Sequence, residues 1–394
     1  MPADRRGGGA ATSPPSQDAF LAALRGVVDP ELGEDIVTLG MVRSVACQEG
    51  RVRVEIALTV AGCPLRTQLR DDVTRRLGAL AGVEEVEVAT AVMGPDERAR
   101  LMSTARRAAQ SRAVTTSFPE ATRVLAVVSG KGGVGKSSVT VNLALALSRR
   151  GCAVGLLDAD IWGFSIPRLL GIAGPLEVRA GKIQPARIAV GTTTLRVVSM
   201  GFLADEDEAI MWRGLVLARA VQHFLEDVAW GPLDYLLVDM PPGTGDVQMA
   251  LARMLPRAEF LVVSTPSAAA AKVAGRAADM ARKGHGRVAG VIENMAPYTT
   301  EDGRRHTPFG EGGGASLAAE IGAPLLGSLP FAPELGRAGD TGTCAELDRA
   351  SALGRQFTAL AARIATQVAP LIEMSGCTAR LVDHVEKALA RPAS

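Results

Sequence analysis

The chain has 394 residues, enough for two or three domains of roughly 100–200 residues each. Lys and Arg number 43 against 42 Asp and Glu, a formal charge of +1, which argues against general nucleic-acid binding and leaves only a local basic patch open. The composition, 47% apolar and 22% charged, is that of a globular protein, and no run approaches the roughly 20 apolar residues of a membrane span, so the cytoplasm is the expected location.

Residues 1–16 are rich in Gly, Pro and Ser and read as disordered. Gln17 to Val28 reads as a short helix ended by Asp29-Pro30. From Arg51 the residues Val52, Val54, Ile56, Leu58 and Val60 fall on one side, the period of a strand with one buried face, and Gly50 joins it to a strand near 41–48. Pro64 opens a helical run to Leu80, with Leu65, Leu69, Val73 and Leu77 four apart. Val83, Val86 and Val88 then continue as a strand. Residues 17–93 are therefore expected to form a small α+β domain of order α-β-β-α-β. Residues 94–120 open on Gly94-Pro95, stay polar and rich in Arg and Ala, and read as a linker with some helical content.

Short apolar runs recur from Arg123 onward, at 124–129, 153–158, 195–200, 235–240, 260–265, 288–294 and 325–330. Runs without strict alternation suit strands covered on both faces. Residues 121–368 are expected to be a domain of α/β class, a mostly parallel sheet between helices, closed by a helix near 345–366; the motif at 130–138 makes it a P-loop NTPase domain. Residues 369–394 form a tail with a helical pattern over Ala379 to Ala390. Its charges nearly cancel and it lacks aromatic anchors, which favours core packing or a dimer contact over membrane attachment.

The run Gly130-Lys131-Gly132-Gly133-Val134-Gly135-Lys136-Ser137-Ser138 follows the first of these strands and precedes a helical run, Val139 to Arg149. That is the context a P-loop demands: glycines let backbone N–H groups converge on phosphate oxygens, and the helix start adds its dipole. Gly130, Gly132, Gly133, Val134, Gly135, Lys136, Ser137 and Ser138 are thus the candidate ATP cradle. Lys136 is expected to reach the β and γ phosphates and Ser137 to ligate Mg²⁺. Asp239 ends the strand YLLVD, where a carboxylate can hold hydrated Mg²⁺. Asp158 and Asp160 follow another strand. Asp160 is the choice to orient the attacking water, while Asp158 either assists the metal, directly or through water, or caps an element from behind. The loop Pro241 to Asp246 is placed to sense the γ-phosphate.

Lys131, ahead of the usual lysine, makes the form KGGVGKS, which resembles the deviant-Walker ATPases: the MinD and ParA proteins, nitrogenase iron protein and the Mrp/ApbC iron–sulfur cluster carriers. The likeness is closest to Mrp/ApbC. It is carried by GKGGVGKSSVTVNLA from Gly130, DADIWGFSIPRLLG from Asp158, LLVDMPPGTGD from Leu236, VIENM from Val291 and FGEGGG from Phe309. The N-terminal unit resembles the MIP18-like domain through DPELGEDIVTLGMV from Asp29 and LTVAGCPLR from Leu58. The resemblance implies a homodimer in which Lys131 crosses to the partner's nucleotide. It also implies that Asn294 meets the adenine edge, its plain alternative being a turn-forming Asn. Further implications are a 4Fe–4S cluster as cargo, and iron–sulfur assembly proteins or apoproteins as partners.

One part of the pattern is missing. Cluster-carrying members of the resembled family have a CxxC shortly after the ENM segment, and none occurs here. The five cysteines, at 47, 63, 152, 344 and 377, are scattered, and none lies between Cys152 and Cys344. A lone imidazole, His306, is a poor substitute for thiolates and reads as a surface loop residue. Cys63, at a strand-to-helix junction where a helix start would stabilise its thiolate, is the remaining candidate ligand for a cluster or metal, with a buried structural thiol as its alternative. Three functions remain: an ATPase in iron–sulfur cluster assembly, a MinD/ParA-like positioning switch, and an ATP-timed adaptor that recruits clients without carrying a cluster.

Overall fold

The computed structural model describes residues 15–371, apart from 30, 31, 33, 60–65, 112–115, 161–162, 204–213 and 345–348. The expectations for residues 1–14, for Cys63 and for the helix over 379–390 lie outside these described residues. The chain divides into two units, Met1–Ala113 and Val114–Ser394.

In the first unit α1 (Gln17–Leu24) is capped by Ser16, whose hydroxyl accepts from the Ala19 N–H at 3.2 Å. It stops short of Val28 because Val28 is drawn into an antiparallel bridge with Asp35. Strands β1 (Val42–Gln48) and β2 (Arg51–Leu58) form a hairpin. Its two-residue turn puts both Glu49 (φ 48°) and Gly50 (φ 79°) in the left-handed region, the twist that tight hairpins need. Helix α2 (Arg66–Gly78) buries Leu69, Val73 and Leu77, and β3 (Glu85–Val92) pairs in parallel with β2. The stretch expected as a linker is largely helix, α3 (Pro95–Ser111). Pro95 opens it, Glu97 reaches back to the Gly94 N–H at 2.8 Å, and Leu101 and Ala105 are buried in this unit's core.

The second unit contains β4 (Arg123–Ser129), α4 (Lys136–Arg149), β5 (Val154–Asp158) and α5 (Ile166–Leu170). A short hairpin, β6 (Val178–Arg179) and β7 (Lys182–Ile183), leads to β8 (Ala186–Val190) and β9 (Thr193–Ser199). Then come α6 (Gly214–Glu226), β10 (Tyr235–Asp239), α7 (Asp246–Met254), β11 (Glu259–Ser264) and α8 (Ala268–Lys283). The chain continues through β12 (Arg287–Ala296), the hairpin β13 (Tyr298–Thr299) and β14 (Arg305–His306), and α9 (Gly313–Glu320). It ends in β15 (Leu325–Pro330), α10 (Pro333–Thr341) and α11 (Ala352–Arg363), followed by one π-helical turn, Ile364–Val368.

The large sheet has the order β15-β12-β11-β4-β10-β5-β9-β8, parallel throughout except for the β8–β9 edge pair. The expected mostly parallel sheet between helices is therefore present. Each face carries its own core: Phe224, Trp230 and Phe260 lie in one, Leu143, Tyr235 and Phe357 in the other. That is why the strand sequences are unbroken apolar runs rather than alternating ones. The carboxyl ends of β4, β5 and β10 lie side by side, with Asp239 opposite Asp158 across the ladder. In a sheet of this kind ligands bind at that edge, beside the central strands where the order reverses. Among the described residues no helix is long and apolar enough to cross a membrane.

Candidate nucleotide site

The loop after β4 is shaped by its glycines. Gly133 and Gly135 both sit at φ 78°, a conformation that side chains resist, and they turn the chain directly into α4 at Lys136. A Cβ on Gly130 would lie 2.3 Å from the Val273 carbonyl carbon, so the loop rests against the backbone of α8. Positions 132 and 133 face open space: a Cβ added at either would meet no heavy atom within 4 Å. A turn that points into open space at the start of a well-formed helix is a cradle for an anion. Val134 is buried beneath it, and Ser138 anchors the helix behind, its carbonyl accepting from Asn142 Nδ2 at 2.9 Å.

Below the loop, Asp239 is fully buried and gathers three donors. Lys136 Nζ is 2.8 Å from its Oδ2, Ser137 Oγ donates to the same oxygen at 2.6 Å, and Thr140 Oγ1 donates to Oδ1 at 2.9 Å. Asp160 Oδ2 lies 3.7 Å from the Lys136 ammonium, and burial pushes its carboxyl above the ordinary range. A carboxylate this deep must be neutralised, and here the ammonium does it. A Mg²⁺ ion takes few protein oxygens and keeps waters and phosphate oxygens for the rest, so Ser137 and Asp239 are a fitting set for it.

Asp158 is placed differently from its neighbours. Ser199 Oγ donates to its Oδ2 at 2.9 Å, the Ser165 and Ile166 N–H groups donate to the same oxygen at 3.3 Å, and the Asp160 N–H donates to Oδ1 at 3.2 Å. These bonds fasten the segment that carries Asp160 to the end of β5. Burial first, and then the charge of Asp239, push the Asp158 carboxyl up to about 7.

On the other side of the loop, Asn294 is 3% exposed and its Nδ2 donates to the Val134 carbonyl at 2.9 Å. Next to it the Glu293 carboxylate caps α9 by accepting the Gly314 N–H at 2.8 Å. The glycine run is a packing device here. A Cβ on Gly313 would fall 2.1 Å from the Pro266 carbonyl oxygen, and one on Gly314 would fall 2.6 Å from the Glu293 Cβ. The 241–246 loop is tied at Gly243, whose N–H donates to the Ser129 carbonyl at 3.0 Å, and at Pro242, whose carbonyl accepts from Gln248 Nε2 at 2.6 Å.

The structure thus brings Lys136, Ser137, Asp160 and Asp239 together, sets Asp158 behind them and ties Asn294 to the loop. Lys131 is exposed and stands apart from this cluster. Sequence reasoning missed Thr140, Ser199, Gln248 and Glu293. Thr140 had a signal, its place four residues after Lys136 on one helix face; Glu293 had one too, its place beside Asn294 within VIENM, whereas Ser199 and Gln248 are polar residues at a strand or helix end that belong to no motif.

The segment after Asn294 is a hairpin built on rings. Tyr298 stacks on His306 with centroids 5.1 Å apart, and Phe331 lies 5.7 Å from Tyr298 and 5.9 Å from Phe309. The described cysteines do not suit an iron–sulfur cluster. Cys47 is on β1 of the other unit, burial raises the thiol of Cys152, and burial pushes that of Cys344 up to about 11. Among the described residues no three His, Cys, Asp or Glu side chains are grouped to hold a metal by themselves.

A family model described as NUBPL iron-transfer P-loop NTPase matches residues 120–365, and one described as an iron–sulfur cluster assembly protein matches residues 17–88. An iron–sulfur cluster carrier protein of Mycobacterium tuberculosis is 43% identical over 91% of this chain and 95% of its own length. One from Synechocystis is 39% identical over 89% and 97%. Among solved structures, a nucleotide-binding protein from Archaeoglobus fulgidus in complex with ADP is 35% identical, covering 59% of this chain and 90% of that one with a TM-score of 0.49. On its sequence, and with a phosphate loop set at the carboxyl edge of a parallel sheet, the chain belongs to the iron-transfer P-loop NTPases, the family of the iron–sulfur cluster carrier proteins.

Proposed function

We propose that this protein is a Mg²⁺-dependent ATPase that works as a homodimer and serves the delivery of iron–sulfur clusters to client proteins. The observation that carries the reading is the buried cluster of Lys136, Ser137, Thr140 and Asp239 beneath an open glycine turn. In this reading the loop N–H groups and Lys136 hold the phosphates, and Ser137 and Asp239 hold Mg²⁺, which when bound offsets charge on the β and γ oxygens. Asp160 orients the attacking water, and its proximity to Lys136 keeps it beside the phosphate positions. Asn294, one of its two amide N–H groups bonded to the Val134 carbonyl, offers Oδ1 as an acceptor for the amine of adenine. Lys131, exposed at the rim, neutralises charge on the partner's nucleotide.

Delivery rests on family membership, and a second reading is favoured by the aromatic hairpin that follows Asn294. In that reading the ATPase unit times the release of a client that the small unit recruits, and no cluster is held at the ATPase unit. Anaerobic reconstitution with iron and sulfide, on wild type and Cys63→Ala, separates the two. Iron and sulfide bound by wild type and lost in Cys63→Ala support a carrier with its ligand in the small unit; wild type that binds neither supports the adaptor. ATP hydrolysis is tested directly by phosphate release with and without Mg²⁺, and absence of turnover would sink the ATPase assignment.

A further inference from the structure

We infer that Ser129 is a positioning residue that links the 241–246 loop to Lys131, an inference that rests on the dimeric ATPase reading above. Ser129 is the last residue of β4 and only 1% exposed, yet it bonds in two directions. Its hydroxyl donates to the Lys131 carbonyl at 3.0 Å, and its carbonyl accepts the Gly243 N–H at 3.0 Å. Beyond Gly243, which sits at φ 97°, the Pro242 carbonyl is held by Gln248 at the start of α7. A continuous bonded path therefore runs from α7 through the loop to the backbone of Lys131.

No side-chain contact of its own places Lys131: the side chain is exposed and has no partner among the described residues. The turn before it is confined on one side, because Gly130 lies against the Val273 backbone. The Ser129 hydroxyl closes the other side by holding the carbonyl two residues on, a local bond that replaces a backbone turn. When the loop responds to nucleotide, displacement of Gly243 pulls on the Ser129 carbonyl, and the same residue's hydroxyl carries the pull to Lys131. Ser129 touches no reacting atom in this scheme. It sets where Lys131 points.

The test uses the full chain. Steady-state ATP hydrolysis is measured for wild type, Ser129→Ala, Ser129→Thr, Lys131→Ala and the Ser129→Ala/Lys131→Ala double variant, with nucleotide-dependent self-association followed by light scattering. Loss of one such bond is expected to lower kcat about three- to tenfold and leave KM within about twofold, while Ser129→Thr keeps the hydroxyl and the rate. In the double variant, Ser129→Ala adds nothing to the loss from Lys131→Ala, because it acts through that residue. An additive loss, a raised KM with intact kcat, or wild-type turnover by Ser129→Ala beside a crippled Lys131→Ala overturns this inference alone. Full turnover by Lys131→Ala overturns the dimer reading and this inference with it. Should Ser129→Ala not fold, Gln248→Ala breaks the path at its other end; it is expected to lower kcat likewise, and its full activity overturns the proposal.

Discussion

Two segments leave the same edge of the large sheet and are built on opposite terms. Under the phosphate loop, Lys136 is 6% exposed, Asp239 is fully buried, and both are engaged by hydrogen bonds or ion pairs. After Asn294, residues 301–312 are all exposed, and the order of the hairpin comes from stacked rings and surface pairs such as Arg305–Glu311. Burial leaves a charged group no choice of partner, so the first segment can change only at a high cost. Exposure leaves the second free to change composition without endangering the fold. The proposed nucleotide chemistry falls in the buried segment. The position where cluster-binding thiols would be expected falls in the permissive one.

The sharpest way to break this comparison is Lys136→Ala. It strips Asp239 of its buried counter-charge, so nucleotide affinity should fall more than about 100-fold and stability by roughly 3–5 kcal/mol. Nucleotide titration by fluorescence and chemical denaturation read the two effects, and near-native values would show that the cluster is less interdependent than its geometry. Lys131→Ala comes next: if its charge meets the partner's nucleotide as proposed, removing it should cost about 10²-fold in kcat or more, with binding to the monomer retained. Thr140→Val is expected to destabilise by about 1–3 kcal/mol, because Asp239 Oδ1 loses its buried donor. At the far end, His306→Ala should cost less than about 1 kcal/mol and leave ATP turnover within about twofold. A large loss there would mean that the hairpin is part of the site after all.

The same contrast predicts a pH dependence. With its carboxyl raised to about 7, Asp158 binds a proton more tightly in the folded chain than in the unfolded one. Its contribution is fully present below the ordinary carboxylate range and is lost as pH rises through about 7. Between pH 5 and pH 8, wild type should lose more stability in denaturant titrations than Asp158→Asn. Parallel curves would remove Asp158 as the source.

Much of this was legible because it follows from short-range rules. The run YLLVD suits a strand covered on both faces, and a glycine-rich turn before Lys136 is the pattern of a phosphate loop that opens a helix. What escaped reading was set by neighbours distant in the chain. Ser199 meets Asp158 because β9 pairs with β5, and Glu293 meets Gly314 because α9 folds back on β12. The stretch 94–120 reads by composition as a linker with some helical content; that its helix runs over Pro95–Ser111 follows from Leu101 and Ala105, two residues among many Arg and Ala, which find a core to enter. The hairpin after Asn294 had no periodic signal, since its order rests on rings from as far away as Phe331.

The hairpin leaves and rejoins the body of the protein at two clamped points. Asn294 holds the Val134 carbonyl where it departs, and Glu293 holds the Gly314 amide where it returns. A loop whose ends are fixed within a few ångströms of each other loses little free energy when its length or content is altered, since closure entropy grows only slowly with length. The segment is in effect a cassette: exchanging residues 297–311 for a sequence of other chemistry, thiol-bearing ones included, is expected to leave the phosphate loop as it is, because Asn294, the anchor that touches that loop, lies outside the exchanged stretch.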